Sequence, residues 1–190
     1  MDERDQDASY SSDFALRDGR LATMRLMRPD DKQRLIDAFA KLDRQSIYTR
    51  FFSYRRELPQ GPLNHIDRID LVRLAALVVT IGKDLEETII GTATYVADAA
   101  ADGQREAEVA FTIEEDFQGQ GLASRLLQAL AGIARRHGIA RLRAEVLGSN
   151  APMLKVFQRS GLPTQTRRQG EVVELTLDLT GGVKPAGSPA

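Results

Sequence analysis

Residues 106–126 read EAEVAFTIEEDFQGQGLASRL and combine three local signals of structure. Alternation over residues 106–113 predicts a β-strand, and the glycines at positions 119 and 121 predict a tight turn. Leucines at helical spacing then predict a helix over residues 122–137. The next alternation, over residues 141–147, predicts a second strand. A strand–helix–strand unit of this kind is a right-handed crossover whose two strands run parallel.

The rest of the chain predicts further strands and helices around this unit. Strands are predicted at residues 21–27, 74–81, 88–96, 165–169 and 172–179. Helices are predicted after the capping positions near residues 30 and 150, and over residues 46–52. The prediction is therefore an α/β fold: a mixed, mostly antiparallel sheet of about seven strands, with the parallel crossover at its centre and about four helices on both faces.

The composition predicts one globular domain with a tail at each end. The chain has 190 residues, of which 42% are hydrophobic and 28% charged, and this suits a single domain with a buried core. Residues 1–20 are polar and acidic, and residues 180–190 are rich in Gly, Pro and Ala, so both are expected to be flexible tails around a domain at 21–179. The chain contains no apolar run of membrane-spanning length and no signal-peptide pattern at its start. We therefore expect a cytoplasmic chain with no membrane partner.

The chain contains no cysteine, which excludes disulfides, zinc fingers and a thiol nucleophile. The two histidines, His65 and His137, have no partner at metal-ligand spacing, so no metal is expected. His137 falls in the last turn of a predicted helix, where a positive charge interacts favourably with the helix dipole. The chemistry is therefore expected to come from oxygen and nitrogen groups.

The charge is unevenly distributed although the net charge is only −1. Residues 118–170 contain nine basic residues and one acidic residue, Glu145. A basic segment in an acidic chain favours a small polyanionic ligand over nucleic acid, because a nucleic-acid binder is usually basic over the whole domain. The alternative is that these charges form a solvated helix face.

The glycine turn allows three interpretations. Small residues before a helix let an anion approach the free N–H groups at the helix start. A tight turn that binds nothing is the second possibility, and a dinucleotide-binding fingerprint is the third. Three features count against a dinucleotide site: the third glycine position is Ser124, carboxylates at 114–116 separate strand from turn, and Glu145 lies inside its strand rather than at its end.

Several stretches resemble motifs of the GNAT superfamily of N-acetyltransferases. The turn resembles the family's acyl-CoA pyrophosphate-binding motif, Q/R-x-x-G-x-G/A, at Gln118, Gly121 and Ala123. The segment after the second parallel strand is similar to the family's N-x6-Y-x3-G-F helix at Asn150, Phe157, Gly161 and Leu162. Two shorter stretches look similar to the acetyltransferase domain of bacterial protein lysine acetyltransferases, namely 46–52 and 107–111. The superfamily resemblance extends over about residues 21–179.

The resemblance implies transfer of an acetyl group from acetyl-CoA to an amine in a ternary complex, without a metal or a covalent enzyme intermediate. The implied acceptor is a protein lysine side chain ahead of a small amine. The pantetheine arm would lie against the main chain of Phe111, Thr112 and Ile113, and Asn150 and Phe157 would also contact the cofactor. The pyrophosphate would bind the turn, whose implied cofactor residues are Gln118, Gly119, Gln120, Gly121, Leu122, Ala123 and Ser124.

Glu108 is the expected general base, because it lies on the strand before the turn. Alternation places Glu106 and Glu108 on the face opposite Val109 and Phe111. Partial burial of Glu108 among apolar neighbours would suit it to accept a proton near neutral pH. The alternative is that both carboxylates are solvent-facing residues of an exposed sheet face. Other candidate bases are Glu145, Asp116 and Glu114.

Phe157 departs from the family pattern, in which a tyrosine often protonates the departing thiolate. Phenylalanine has no proton to donate, so water or a hydroxyl such as that of Ser149 would take this role, or the thiolate would leave unassisted. Loss of the donor also raises an alternative function, a non-catalytic acyl-CoA-binding or sensing module. Tyr48 and Arg50 are expected either to line the acceptor site or to be ordinary core and surface residues. Neither the acceptor nor the oligomeric state follows from the sequence.

Overall fold

The computed structural model describes residues 7–51, 66–99 and 103–181. These residues contain eight strands: β1 (Ser11–Ala15), β2 (Leu21–Leu26), β3 (Leu74–Ile81), β4 (Thr88–Ala99), β5 (Arg105–Ile113), β6 (Arg141–Leu147), β7 (Thr164–Gln169) and β8 (Val172–Asp178). All eight form one sheet in the order β1-β2-β3-β4-β5-β6-β8-β7. Only β5 and β6 pair in parallel, and the other neighbours are antiparallel. The predicted mixed sheet with a parallel crossover is confirmed.

The described residues contain four α-helices: α1 (Lys32–Lys41), α2 (Arg44–Phe51), α3 (Leu122–Arg136) and α4 (Ala151–Gln158). This agrees with the predicted number. The crossover helix α3 buries an apolar stripe that includes Leu126, Leu130 and Ile133. None of the helices in the described segments is long and apolar enough to cross a membrane.

The sheet is covered on both faces. Alternate residues of β3 point to opposite sides, and both sets are buried, which explains its nearly continuous apolar sequence. Leu77 and Val79 belong to the main core with α3, whereas Val78 is buried outside it. Phe39 of α1 and Ile89 of β4 are also buried outside the main core. Apolar residues therefore cover both faces of β3.

A buried ion network fixes the start of α1. Asp31 is fully buried and accepts hydrogen bonds of 2.7 and 2.8 Å from the Arg25 guanidinium of β2. Arg25 also donates to Glu87 at 2.9 Å. Burial acts to raise the pKa of Asp31, but the hydrogen bonds from Arg25 and from the Arg28 N–H outweigh it and hold the pKa below its usual range.

The first twenty residues do not behave as a loose tail throughout, which corrects the sequence prediction. β1 pairs with β2 from Ser11↔Arg25 to Ala15↔Leu21 and adds an eighth strand to the sheet. Leu16 is buried in the main core, and Phe14 packs against it. The polar composition hid these two apolar residues ahead of the turn at Gly19. The tail predicted at 180–190 lies almost entirely outside the described residues.

β5 and β6 pair over only three residues before they separate. Their register runs Glu106↔Arg141, Ala107↔Leu142 and Glu108↔Arg143. Both strands continue beyond this point, β5 bonded to β4 and β6 bonded to β8. The sheet therefore contains a gap between its two parallel strands, next to the crossover.

Candidate functional site

A cavity of about 510 Å³ opens where β5 and β6 separate. One wall is Val109–Ile113 of β5, and the opposite wall is Ala144–Val146 of β6. The glycine turn and the start of α3 close one end, and the start of α4 with Phe157 closes another. Ligands in sheets of this type bind beyond the carboxyl ends of parallel strands, and this cavity has that position.

The structure brings nearly all the predicted cofactor residues together around this cavity. The lining includes Glu108, Phe111, Thr112, Ile113, Gln118, Gly119, Gly121, Leu122, Ala123, Ser124, Asn150 and Phe157. Gln120 is the exception, since its side chain turns to the β1–β2 hairpin and donates to Asp18 at 3.2 Å. Tyr48 and Arg50 fall within α2, but their side chains lie outside the described part of the chain.

The glycine turn leaves open space at the start of α3. Gly119 has φ 73° and Gly121 has φ 85°, a region that L side chains rarely adopt. Within the described residues no heavy atom lies within 4 Å of a Cβ built on either glycine. Gly121 is the N-cap of α3 and has no side chain to bond the free N–H groups of the first turn. An anion can therefore approach these N–H groups at the positive end of a 15-residue helix.

Gln118 joins the turn to two other elements. Its side-chain amide donates to the Ile113 carbonyl at 3.3 Å and to the Ser46 hydroxyl at 3.4 Å. The residue therefore connects the end of β5 to α2. This contact explains a glutamine at the first position of the turn motif.

Glu108 lies at the rim of the cavity, where the pairing of β5 with β6 ends. Its neighbours Ala107 and Val109 are buried, so the carboxylate is on the opposite face of the strand, as the alternation predicts. The expected partial burial of Glu108 is wrong: the side chain is exposed. On the neighbouring strand β6, Arg143 and Glu145 are exposed as well, and Arg143 is the residue in register with Glu108.

Glu106, two residues earlier on the same face, is held by other charges. It forms ion pairs with Arg141 at 2.6 Å and with Arg143 at 3.3 Å. Glu106 does not line the cavity. The two carboxylates of this strand therefore have different surroundings, and Glu108 is the one beside the cavity.

The three other candidate bases occupy different positions. Glu145 is exposed and lines the cavity from β6. Glu114 is half-buried in a separate cavity of about 60 Å³ beside Leu35 and Phe39 of α1. Burial raises the pKa of Glu114, and Lys41 acts in the opposite direction. Asp116 is exposed in a short turn and lines neither cavity.

Phe157 is almost completely buried and forms an apolar wall of the cavity. Its ring meets that of Phe111 edge to face, with centroids 5.9 Å apart. Asn150 caps α4, since its side-chain oxygen accepts from the Met153 N–H at 3.2 Å. Ser149 is exposed at the lining.

The histidines and carboxylates in the described segments do not form a metal centre. No group of three or more potential ligand side chains is found there. His137 is at the C-terminal end of α3, as expected, and its Nε2 lies 3.2 Å from Asp7, which also pairs with Arg136 at 2.5 Å. His65 lies outside the described residues.

Arg17 is the lining residue that the sequence analysis missed. Its guanidinium donates to the Gly119 carbonyl at 2.8 Å, and its N–H donates to the Gln120 side chain at 3.0 Å. Arg17 is the only Lys or Arg among the described residues that line the cavity. The basic segment 118–170 was expected to supply this charge, but none of its nine Lys and Arg residues lines the cavity.

Members of the basic segment are engaged elsewhere. Arg125 stacks on the Phe14 ring at 4.6 Å, and Arg135 donates to the Leu179 carbonyl at 2.9 Å. These two arginines therefore contact other parts of the protein, and the polyanionic ligand expected at the basic segment stays a prediction. The pair Asp18–Gly19 is typical of a hairpin turn and could have predicted the hairpin that carries Arg17.

Comparisons with known proteins agree with this geometry. Residues 43–162 match the model of the acetyltransferase (GNAT) family. The acetyltransferase Pat of Mycolicibacterium smegmatis is 30% identical over 146 residues, which make up 77% of this chain and 42% of Pat. The chain thus spans less than half the length of this relative.

Two solved structures of acetyltransferases are also similar to this chain. The crystal structure of the GNAT domain of S. lividans PAT is 35% identical, with a TM-score of 0.77 over 88% of this chain and 96% of that domain. The structure of yncA from Salmonella typhimurium with its cofactor acetyl-CoA is 17% identical, with a TM-score of 0.68 over 88% of this chain and 99% of yncA, and shows a likeness of fold alone. Because the family match covers more than half of the chain, the chain belongs to the acetyltransferase (GNAT) family.

Proposed function

We propose that this chain transfers the acetyl group of acetyl-CoA to an amine, with a protein lysine side chain ahead of a small amine as acceptor. The observation that carries the proposal is the cavity between β5 and β6, which ends on the open glycine turn at the start of α3. An elongated thioester with phosphates at one end suits this shape. The resemblance of residues 46–52 and 107–111 to bacterial protein lysine acetyltransferases supports a protein acceptor.

The cofactor arm would extend the sheet at the gap. β6 bonds to β5 only as far as Glu108, so the edge of β5 from Val109 onward faces the cavity. The pantetheine amides would bond this edge at Phe111–Ile113, as an added strand does. The cap at Asn150 uses the side-chain oxygen, so a contact from Asn150 to the arm would come from its side-chain NH₂.

The pyrophosphate would bind the N–H groups of residues 119–124. The positive φ of Gly119 and Gly121 and the space beside them allow phosphate oxygens to approach the main chain. The apolar pair Phe111 and Phe157 would pack against the arm and exclude water from that side.

Glu108 would act as the general base. An amine acceptor with a pKa of about 10.4 arrives as an ammonium and must lose a proton before it attacks. The Glu108 carboxylate takes this proton, directly or through a water molecule. Because the Glu108 side chain is exposed, a large acceptor such as a protein could reach it.

The acyl transfer then needs two further groups. The amine nitrogen bonds to the thioester carbon, and a main-chain N–H near Phe111 or Thr112 stabilises the oxyanion. The C–S bond breaks, and the thiolate takes a proton from water or from the Ser149 hydroxyl. The products are an N-acetylated amine and CoA. Phe157 cannot supply this proton, which is the difference from the common family pattern.

The test is turnover of acetyl-CoA with a panel of amines and lysine peptides. CoA release would be followed with a thiol reagent, and the acetylated products would be identified by mass spectrometry. The proposal predicts acceptor-dependent release of one CoA per acetyl group transferred. Tight binding of acetyl-CoA without turnover on any acceptor would contradict it and would favour the sensing module that Phe157 suggests.

A further inference from the structure

The turn between β1 and β2 lies directly against the glycine turn. Arg17 bonds Gly119 through its guanidinium and Gln120 through its main chain, at 2.8 and 3.0 Å. The side-chain amide of Gln120 in turn donates to the Asp18 carboxylate at 3.2 Å. These contacts join segments about a hundred residues apart in the chain, so the hairpin forms a wall of the site rather than a free end.

Two cation–π contacts hold the hairpin on either side of the glycine turn. The Arg20 guanidinium lies 4.3 Å from the centre of the Phe117 ring, which is buried just before the turn. Arg125, in the first turn of α3, lies over Phe14 of β1. The position of Arg17 beside the cavity is therefore fixed by contacts that precede and follow the glycines.

Arg17 is the positively charged residue of the β1–β2 hairpin that lines the cavity. Asp18 and Arg20 form an ion pair at 2.6 Å, so these two charges offset each other. A guanidinium has five N–H donors, and the bond to Gly119 takes one. Phosphate binding by main-chain N–H groups alone supplies only partial charges, whereas a guanidinium adds a full positive charge and a planar set of donors.

We propose that Arg17, carried by the β1–β2 hairpin, binds a phosphate group of the CoA cofactor at the glycine turn. The inference rests on the proposed function, since it needs CoA in this cavity. The phosphate is either the pyrophosphate or the 3′-phosphate of CoA, and the two are distinguished below. The hairpin thereby adds a side-chain ligand to a site otherwise built from the β5–α3 turn.

The experiment compares Arg17→Ala, Arg17→Lys and wild type by calorimetry with acetyl-CoA. Loss of one charge-assisted hydrogen bond to a partly exposed phosphate predicts that Arg17→Ala binds about tenfold more weakly or worse. Arg17→Lys keeps the charge and is expected to bind more tightly than Arg17→Ala. The salt dependence of Kd should also be shallower for Arg17→Ala, because one ionic contact is missing.

Two truncated ligands locate the contact. Acetyl-dephospho-CoA lacks the 3′-phosphate, so a tenfold effect that persists with it assigns the pyrophosphate, and an effect that disappears assigns the 3′-phosphate. S-acetylpantetheine has no phosphoanhydride or 3′-phosphate, and its binding, followed by ligand-detected NMR at millimolar concentration, should be equal in Arg17→Ala and wild type.

Arg167→Ala is the matched control, since Arg167 is an exposed arginine of β7 that does not line the cavity. It should bind acetyl-CoA within about twofold of wild type. The inference is overturned if Arg17→Ala binds acetyl-CoA as tightly as wild type, or if Arg17→Lys binds no better than Arg17→Ala. It is also overturned if Arg167→Ala or the S-acetylpantetheine measurement shows the same loss. A wild-type chain that does not bind acetyl-CoA would instead overturn the proposed function. Thermal unfolding of each variant confirms that it is folded.

Discussion

Replacement of Gly121 by glutamate should block acetyl-CoA binding by charge as well as by shape. Gly121 has φ 85°, so any side chain there costs about 1–2 kcal/mol of backbone strain. A built Cβ meets nothing within 4 Å among the described residues, so steric overlap with the protein adds nothing. Gly121→Ala therefore measures the strain alone, as a fall in Tm of about 2–8 °C.

The charge effect can be worked out separately. A carboxylate about 5 Å from one phosphate charge is repelled by about 1–3 kcal/mol, for an effective dielectric constant between about 80 and 20. Gly121→Glu should therefore bind acetyl-CoA about 5- to 150-fold more weakly than Gly121→Ala. The uncharged Gly121→Gln, of nearly the same size, should bind more tightly than Gly121→Glu.

Calorimetry with acetyl-CoA at low ionic strength, together with thermal unfolding, measures both effects. The part of the loss due to charge should shrink as salt is added. The placement of the phosphates would be refuted if Gly121→Glu bound acetyl-CoA as tightly as wild type. It would also be refuted if the glutamate and glutamine variants bound equally, because charge would then have no effect at this position.

Three further changes test other parts of the molecule. Glu108→Gln should lower kcat about 10²- to 10⁴-fold with acetyl-CoA affinity unchanged, as expected for a general base. The control Glu106→Gln, on the same strand face but outside the cavity, should leave kcat within about threefold of wild type. Full activity of Glu108→Gln would move the role to Glu145, Glu114, Asp116 or water. Phe157→Tyr should leave the rate unchanged or lower it, because the new hydroxyl would need a hydrogen-bond partner in an almost fully buried apolar wall. A clear rise in rate would instead show that the missing proton donor limits the wild-type rate. Asp31→Asn leaves the buried Arg25 without its main counter-charge and should destabilise the fold by about 3–5 kcal/mol in urea unfolding at pH 7. Because the pKa of Asp31 is lowered on folding, this stabilisation is complete above about pH 4 and is lost as the pH falls further. The free energies of unfolding of wild type and Asp31→Asn should therefore converge in acid. A constant difference between them down to pH 2 would contradict a stabilising ion pair.

The sequence was sufficient for features that depend on local pattern. The strand, glycine turn, helix and second strand over residues 106–147 follow from alternation, helical spacing and glycine, and the structure contains them in this order. The capping role expected near residue 150 is also present, because Asn150 bonds the Met153 N–H three residues away. Each of these features is decided within a few residues.

Features that depend on distant contacts were missed. Arg17 reaches Gly119 across the fold, and nothing in a polar N-terminal segment indicates which turn its hairpin will contact. Arg136 pairs with Asp7 and Arg141 pairs with Glu106, and a charge count over residues 118–170 does not reveal these distant partners. The exposure of Glu108 depends on what packs over this face of the strand, which strand alternation does not indicate.

A crystal structure of the chain with acetyl-CoA would show directly where the cofactor binds. We expect the pantetheine arm between β5 and β6, with the thioester beside Phe111 and Thr112 and the pyrophosphate within hydrogen-bond distance of the main-chain N–H groups of residues 119–124. This expectation would be contradicted by acetyl-CoA bound outside this gap, or by a glycine turn that makes no contact with phosphate.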